Sequence, residues 1–370
     1  MSLHAISLIL HALNCAIVSS VAARFVRPGA ALVAGLVMAL FPASVEAVGW
    51  AAGIFDLMSA FAVLVTLTLW LMPTLSMRAE VGCVIAVAVG LCAKETAVVA
   101  PALLLGAGAV LPGRTTVRHK RCAMAVAGVC SAYIVARLLS SHELAGHVMR
   151  APTSRMAVKD FLVRPFSGLL VPFRTDSEVS LMAWCAAIAA LAIMTWLLVM
   201  SVTRRNAKDA APGFAIYGIL WVSACAAPLL SQFFVASNLE GSRYLYMPSV
   251  GWAWLVAASV GARQRVMRWV TYGLVAILCG SYLGGLLSER TVWTAATVLR
   301  DEILVLARDR AISANCGPIT IADAPGDFRG VYVFRQGLDQ ALVSLPVNSL
   351  AEPCQLSWTG TDLIAIPPPR

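Results

Sequence analysis

Residues 56–72 read DLMSAFAVLVTLTLWLM, with no charge, proline or glycine after Asp56. As a helix this stretch would be about 25 Å long, close to the ~30 Å hydrocarbon layer of a membrane. Apolar and polar positions do not alternate, which argues against a barrel strand. Only helices and closed barrels satisfy their backbone groups in lipid, so the expected element is a spanning helix. Comparable blocks occur at 3–22, 30–45, 79–93, 95–111, 122–140, 179–201, 212–230, 244–262 and 269–287, giving about ten spans.

Composition agrees. The 370 residues are 59% hydrophobic and 13% charged, against about 25% charge in a soluble globular domain. The net charge of +9 would suggest nucleic acid in a soluble protein, but here the basic residues sit between apolar blocks. Aromatic residues near arginines, such as Trp252 and Trp254, are therefore expected to anchor the membrane interface, and no nucleic-acid partner is expected. The stretch 3–22 has no cationic leader before it and reads as a retained helix.

The basic clusters set an orientation. Arg24 and Arg27, Arg78, Arg114 to Arg121, Arg204 to Lys208, and Arg263 to Arg268 all fall on one side, assigned to the cytoplasm. The other side receives Pro42–Asp56, Lys94–Glu95, the 141–178 loop, Ser231–Arg243 and the tail. The expected localisation is a bacterial plasma membrane with the tail periplasmic. Residues 1–290 form the membrane domain and 291–370 a small α+β appendage. In the tail, 292–310 has helical spacing, and Pro318–Ile321, Gly330–Phe334, Ala341–Leu345 and Leu363–Ile366 read as short strands around the turn Ala324-Pro325-Gly326.

Eight of the ten cysteines lie in or beside apolar blocks and read as small core residues. Cys316 and Cys354 lie in the tail, where an extracytoplasmic location would permit a disulfide. The absence of CxxC gives zinc little support. His4 and His11 share a face of the first helix, and packing or interhelical hydrogen bonding explains them better than metal.

Four blocks carry candidate chemistry. The first is FPASVEAVGW (41–50) followed by Asp56. Carboxylates at the mouth of a span are costly unless paired or solvated, so Glu46 and Asp56 are functional candidates. Alternatively, Asp56 caps a helix beginning near Leu57 and Glu46 faces interfacial water. One straight helix would not put the two on a common face, so convergence requires a break near Gly49 or Gly53. The second block is Cys92-Ala93-Lys94-Glu95-Thr96, read as a local ion pair, a head-group contact or a snorkelling lysine. The third is EGSRYLYMPSVG (240–251). Here Arg243 can clamp a phosphate, and Tyr244 and Tyr246 can line a sugar or lipid path, or the three form an aromatic belt with a positional arginine. The fourth is the 141–178 loop, where Arg164 and Arg174 lie among apolar residues in the pattern of an interfacial amphipathic helix.

Three of these blocks together resemble the membrane O-mannosyltransferase-like proteins of the GT-C glycosyltransferase superfamily, which include transmembrane proteins with tetratricopeptide repeats. Phe41-Pro42 through Trp50 resembles their HP-x-H-x-EAV region, Lys94-Glu95 their KE block, and Arg243 through Gly251 their R-x-LYLPS-x-G block. The resemblance covers about residues 4–290. It implies a GT-C-like fold and sugar transfer from a polyprenyl-phosphate donor to an extracytoplasmic protein or glycan acceptor, with membrane lipids around the chain and no divalent metal implied. By the same resemblance Glu46 and Asp56 would be catalytic. Arg243 and Lys94 would meet the lipid phosphate; from the reading of their own blocks, Glu95, Tyr244 and Tyr246, and Arg164 and Arg174 of the 141–178 loop, are also expected to meet the lipid phosphate or substrate.

The chain departs from that pattern. Phe41 and Ser44 stand where the family has histidines. No tetratricopeptide repeats follow, and the family's first helix and acidic first loop have no counterpart. A non-catalytic subunit that binds a lipid-linked sugar is therefore a second expectation. A glycan transporter is a third, weakened because the spans carry almost no internal charge and show no inverted repeat.

Overall fold

The computed structural model describes residues 3–111, 116–141, 166–175, 181–203, 210–227, 235–260, 265–313, 317–334, 338–343 and 354–365. The chain divides into two compact units, Met1–Leu286 and Leu287–Arg370.

The first unit is helical. Its helices are α1 (Leu3–Ala22), α2 (Pro28–Leu40), α3 (Val45–Gly49), α4 (Ile54–Trp70), α5 (Met77–Ala93), α6 (Ala100–Val110), α7 (Val117–Ser141), α8 (Leu181–Thr203), α9 (Ala210–Ala226), α10 (Tyr246–Val260) and the start of α11 (Arg265–Ser313). A helix lies in each of the apolar blocks read from the sequence. Among the described residues four helices are long and apolar enough to cross a membrane: Leu3–Ala22, Ala51–Trp70, Val117–Ser140 and Arg268–Ser313. A bent pair, Pro28–Leu40 with Pro42–Gly49, makes a fifth if it counts as one span. Large apolar side chains also stand outward in rows, as Val81, Ile85 and Val89 do on α5 and Trp184, Ile188 and Leu191 on α8. Soluble monomers rarely expose such patches; an integral membrane protein is compatible with them.

Helix α10 is the centre of this unit: every one of its residues is buried. A helix that is apolar all round belongs in a core. Trp254 packs against Phe214, Tyr217 and Trp221, and its indole N–H donates to the Val18 carbonyl of α1 at 3.0 Å. Trp252 donates to the Tyr282 hydroxyl at 3.0 Å. Both tryptophans are thus core residues whose polar edge is satisfied inside the protein, which corrects the interface-anchor reading. Glycine lets α9 and α10 touch, since a Cβ on Gly251 would come within 2.6 Å of the Gly218 carbonyl oxygen.

The two ends of the α4–α5 pair differ. At one end Arg24 donates to the Thr68 carbonyl, Arg118 to the Leu75 carbonyl, and Arg121 pairs with Glu80. At the other end lie Asp56 and Lys94. Among the cysteines, Cys15, Cys83, Cys122, Cys130, Cys225 and Cys279 are buried, Cys185 is half-buried and Cys92 is exposed, so the core reading fails for Cys92. The amphipathic helix read from the 141–178 loop lies largely outside the described residues. Its described end has a helical turn at 166–170 followed by an irregular stretch through Thr175.

The second unit combines the end of α11 with β1 (Ile319–Ala322), β2 (Asp327–Phe328), β3 (Val331–Tyr332), α12 (Leu338–Val343), β4 (Cys354–Trp358) and β5 (Leu363–Ala365). β1 and β4 are parallel, β4 and β5 antiparallel, and β2 and β3 form a separate pair. The α+β character matches expectation, with two corrections: β4, which lies between β1 and β5 in the sheet, is not among the expected strands, and part of the strand read at 341–345 lies in α12. Leu338, Ala341 and Leu342 stand at i, i+3 and i+4, a helical face, and Leu342 is the residue that enters the core. Cys354 is disulfide-bonded; Cys316, read from the sequence as its partner, lies outside the described residues.

Candidate functional site

Four charged side chains converge in the first unit, each delivered by an interruption in a helix. Pro42 cannot continue α2, and the chain bends by 54° between Pro28–Leu40 and Pro42–Gly49, which places Glu46 on the short α3. Trp50 then extends (φ −85°, ψ 131°), a turn follows at Ala51–Gly53, and α4 begins at Ile54. This is the break near Gly49 and Gly53 that convergence required. It depends on Gly53, because a Cβ there would meet the Ala47 carbonyl oxygen at 2.4 Å. Asp56 thus lies in the first turn of α4 and does not cap it; Gly53 holds the cap position. Lys94 is an extended residue (φ −158°, ψ 143°) between α5 and the 3-10 turn Glu95–Val99. Arg243 follows Gly241, whose φ of 79° suits glycine.

The four charges form two ion pairs. Lys94 Nζ donates to Asp56 Oδ1 at 2.5 Å, and Arg243 Nη1 donates to Glu46 Oε1. The side chains are 14% and 5% exposed in the first pair and 13% and 5% in the second. At that depth an uncompensated charge would be costly, so the pairing is what permits the charges to be there. Tyr244 joins the pairs: Lys94 Nζ lies 4.7 Å from its ring centroid and Arg243 Cζ also 4.7 Å. Arg243 stacks in addition on Trp50 at 4.4 Å and donates to the Tyr244 hydroxyl at 3.0 Å.

The two pairs are not equivalent. Glu46 is fully engaged: its second oxygen accepts from the Ser242 hydroxyl at 3.2 Å and from the Arg243 backbone N–H at 3.1 Å. Asp56 is not. Its Oδ2 is buried without a hydrogen-bond partner. Among the described residues the Lys94–Asp56 pair therefore keeps one buried carboxylate oxygen without a hydrogen bond, while both carboxylate oxygens of the Glu46–Arg243 pair are bonded.

Of the residues read from the sequence, Glu46, Asp56, Lys94, Arg243 and Tyr244 come together. Glu95 is half-buried at the start of the adjoining turn. Tyr246 does not join them: its hydroxyl turns to α1, where His11 Nδ1 lies at 2.8 Å and Asn14 Nδ2 at 3.1 Å. Arg174 is half-buried. It lies between Phe173, which packs on Tyr282, and Thr175, whose N–H donates to the Ser237 carbonyl. Arg164 lies outside the described residues. Trp50 and Ser242 are further site residues, within the 41–50 and 240–251 stretches; Asn14, an amide in an apolar span, is the kind of residue that signals a buried polar contact.

Among the described residues no group of three His, Cys, Asp or Glu side chains is arranged to hold a metal ion. Comparison of the chain with protein-family models, with curated proteins and with solved structures finds no match.

Proposed function

We propose that this chain is a GT-C-like membrane glycosyltransferase of about ten spans that transfers a sugar from a polyprenyl-phosphate donor to an extracytoplasmic protein or glycan hydroxyl. The observation that carries the reading is the buried Asp56 oxygen beside Lys94 that has no hydrogen-bond partner among the described residues. The convergence of three motif blocks distant in sequence supports it.

In the proposed reaction Asp56 Oδ2 accepts the proton of the acceptor hydroxyl, acting as general base. The acceptor oxygen bonds to the anomeric carbon as the bond from that carbon to the phosphate oxygen breaks. The leaving polyprenyl phosphate gains negative charge, which Lys94 stabilises. The Glu46–Arg243 pair holds the loop that brings Trp50 and Tyr244 to the site.

A second reading has its own observation: both cations already have carboxylate partners, so the four side chains sum to no net charge. A subunit that binds a lipid-linked sugar without turning it over also fits such a site. The deciding experiment is a transfer assay on purified protein in proteoliposomes with polyprenyl-phosphate sugars. The enzyme reading expects release of polyprenyl phosphate with glycosylated acceptor; stable donor binding without turnover would replace it with the subunit reading.

The placement of the tail outside the cytoplasm draws support from Cys354, since disulfides persist in oxidising compartments. Denatured protein from native membranes should take up a maleimide-polyethylene glycol at Cys354 only after reduction. Labelling at Cys354 without reductant would contradict the disulfide and remove this support for an extracytoplasmic tail.

A further inference from the structure

The site's charges come from separate segments of the chain, and something must hold those segments in register. Glu46 follows α2, Asp56 lies in the first turn of α4, and Arg243 precedes α10. One polar face of α1 grips all three.

Asn14 is fully buried in an otherwise apolar helix. Its amide nitrogen donates at 3.1 Å to the carbonyl of Leu57, the residue after Asp56. The same nitrogen donates at 3.1 Å to the Tyr246 hydroxyl, at the start of the helix that follows Arg243. A carbonyl only accepts, so the amide orientation is determined. The Tyr246 oxygen accepts from Asn14, which leaves its own proton for His11 Nδ1 at 2.8 Å. His11 then carries its proton on Nε2, facing the Ala39 carbonyl of α2 at 3.5 Å. Ala39 lies just before Pro42, where the chain bends toward Glu46. The chain of bonds therefore has one direction and touches the three segments that carry Glu46, Asp56 and Arg243. Lys94 is joined separately, through Ser59 of α4 and Thr96 at 3.0 Å.

The arrangement carries a cost. Asn14 Oδ1 is buried without a partner, so an apolar residue would be easier to accommodate there. Two donors aimed at two segments account for keeping an amide in that place.

We infer that Asn14, with Tyr246 and His11, positions the charged site, Asn14 setting the Asp56 turn against Lys94. These are positioning residues. The inference rests on the site described above and not on sugar transfer.

The test reads Lys94 directly. Purified protein in proteoliposomes is treated with a water-soluble amine-acylating reagent, and acylation at Lys94 is followed by mass spectrometry. Asp56→Asn should raise the rate about ten-fold, the size of one lost hydrogen bond to a charged group. Asn14→Ala should raise it in the same direction, and Asn14→Gln, which keeps the amide donors, should restore most of the protection. Val18→Ala, a packing change on the same buried face, should lower the melting temperature and leave Lys94 unchanged. An Asn14→Ala rate equal to wild type, or a Val18→Ala rate as high as that of Asn14→Ala, would overturn the inference. So would an Asp56→Asn protein in which Lys94 stays protected. Absence of sugar transfer by the wild-type protein would count against the proposed reaction alone, because the acylation readout needs no turnover.

Discussion

Asp56→Asn is expected to lower sugar transfer by about 10²- to 10⁴-fold, the contribution of a positioned general base. The substitution keeps the shape of the side chain and removes its ability to take a proton. Donor binding should survive, because the Glu46–Arg243 pair, Trp50 and Tyr244 are untouched. The measurement is single-turnover transfer in proteoliposomes alongside donor binding to the same preparation. Wild-type turnover in Asp56→Asn would remove Asp56 from the role of base. Equal loss of turnover and of binding would make it a binding group instead.

Glu46→Ala should have the largest effect on stability, about 3–5 kcal/mol, because it removes the carboxylate paired with the largely buried Arg243 guanidinium. It also frees the Ser242 hydroxyl and the Arg243 backbone N–H, both of which donate to Glu46. The double variant Glu46→Gln with Arg243→Met should be milder than Glu46→Ala alone, since no charge is then stranded. Thermal unfolding of the three proteins in one detergent measures the order. If Glu46→Ala melts with wild type, the pair does not hold the site loop. The two carboxylates thus separate by experiment: Asp56→Asn should lose turnover while donor binding survives, and Glu46→Ala should show the larger loss of stability because it also frees the Ser242 hydroxyl and the Arg243 backbone N–H.

The outcomes for particular residues show why some features were readable in advance. The positions of the helices were, because a long uncharged apolar run allows few other structures in lipid, and a helix lies in each block from 3–22 to 269–287. The break near Gly53 was readable as a requirement for Glu46 and Asp56 to meet; the end of α2 was not, because the apolar block 30–45 runs across Pro42. What each helix faces was not. Trp252 and Trp254 look like interface residues beside a basic segment, yet they belong to a helix buried on every side. Their sequence neighbours do not show how many other helices surround them. Tyr244 and Tyr246 stand two apart in one motif, but one meets two cations while the other turns to α1.

The residue pattern by itself determined the class of structure: hydrophobic helices, broken where proline and glycine stand, with charges set at the breaks and an α+β tail. It also marked Glu46 and Asp56 as costly unless paired or solvated, Lys94 as a candidate for an ion pair, and Arg243 as a candidate phosphate contact. Only the tertiary structure decided the partners. Lys94 is next to Glu95 in the chain but pairs with Asp56, and Glu46 pairs with Arg243. The physical reason is that burial cost is a property of one residue, legible wherever a charge interrupts an apolar run. Pairing depends on which helix ends meet in space, and the packing of α1, α4, α5 and α10 decides that.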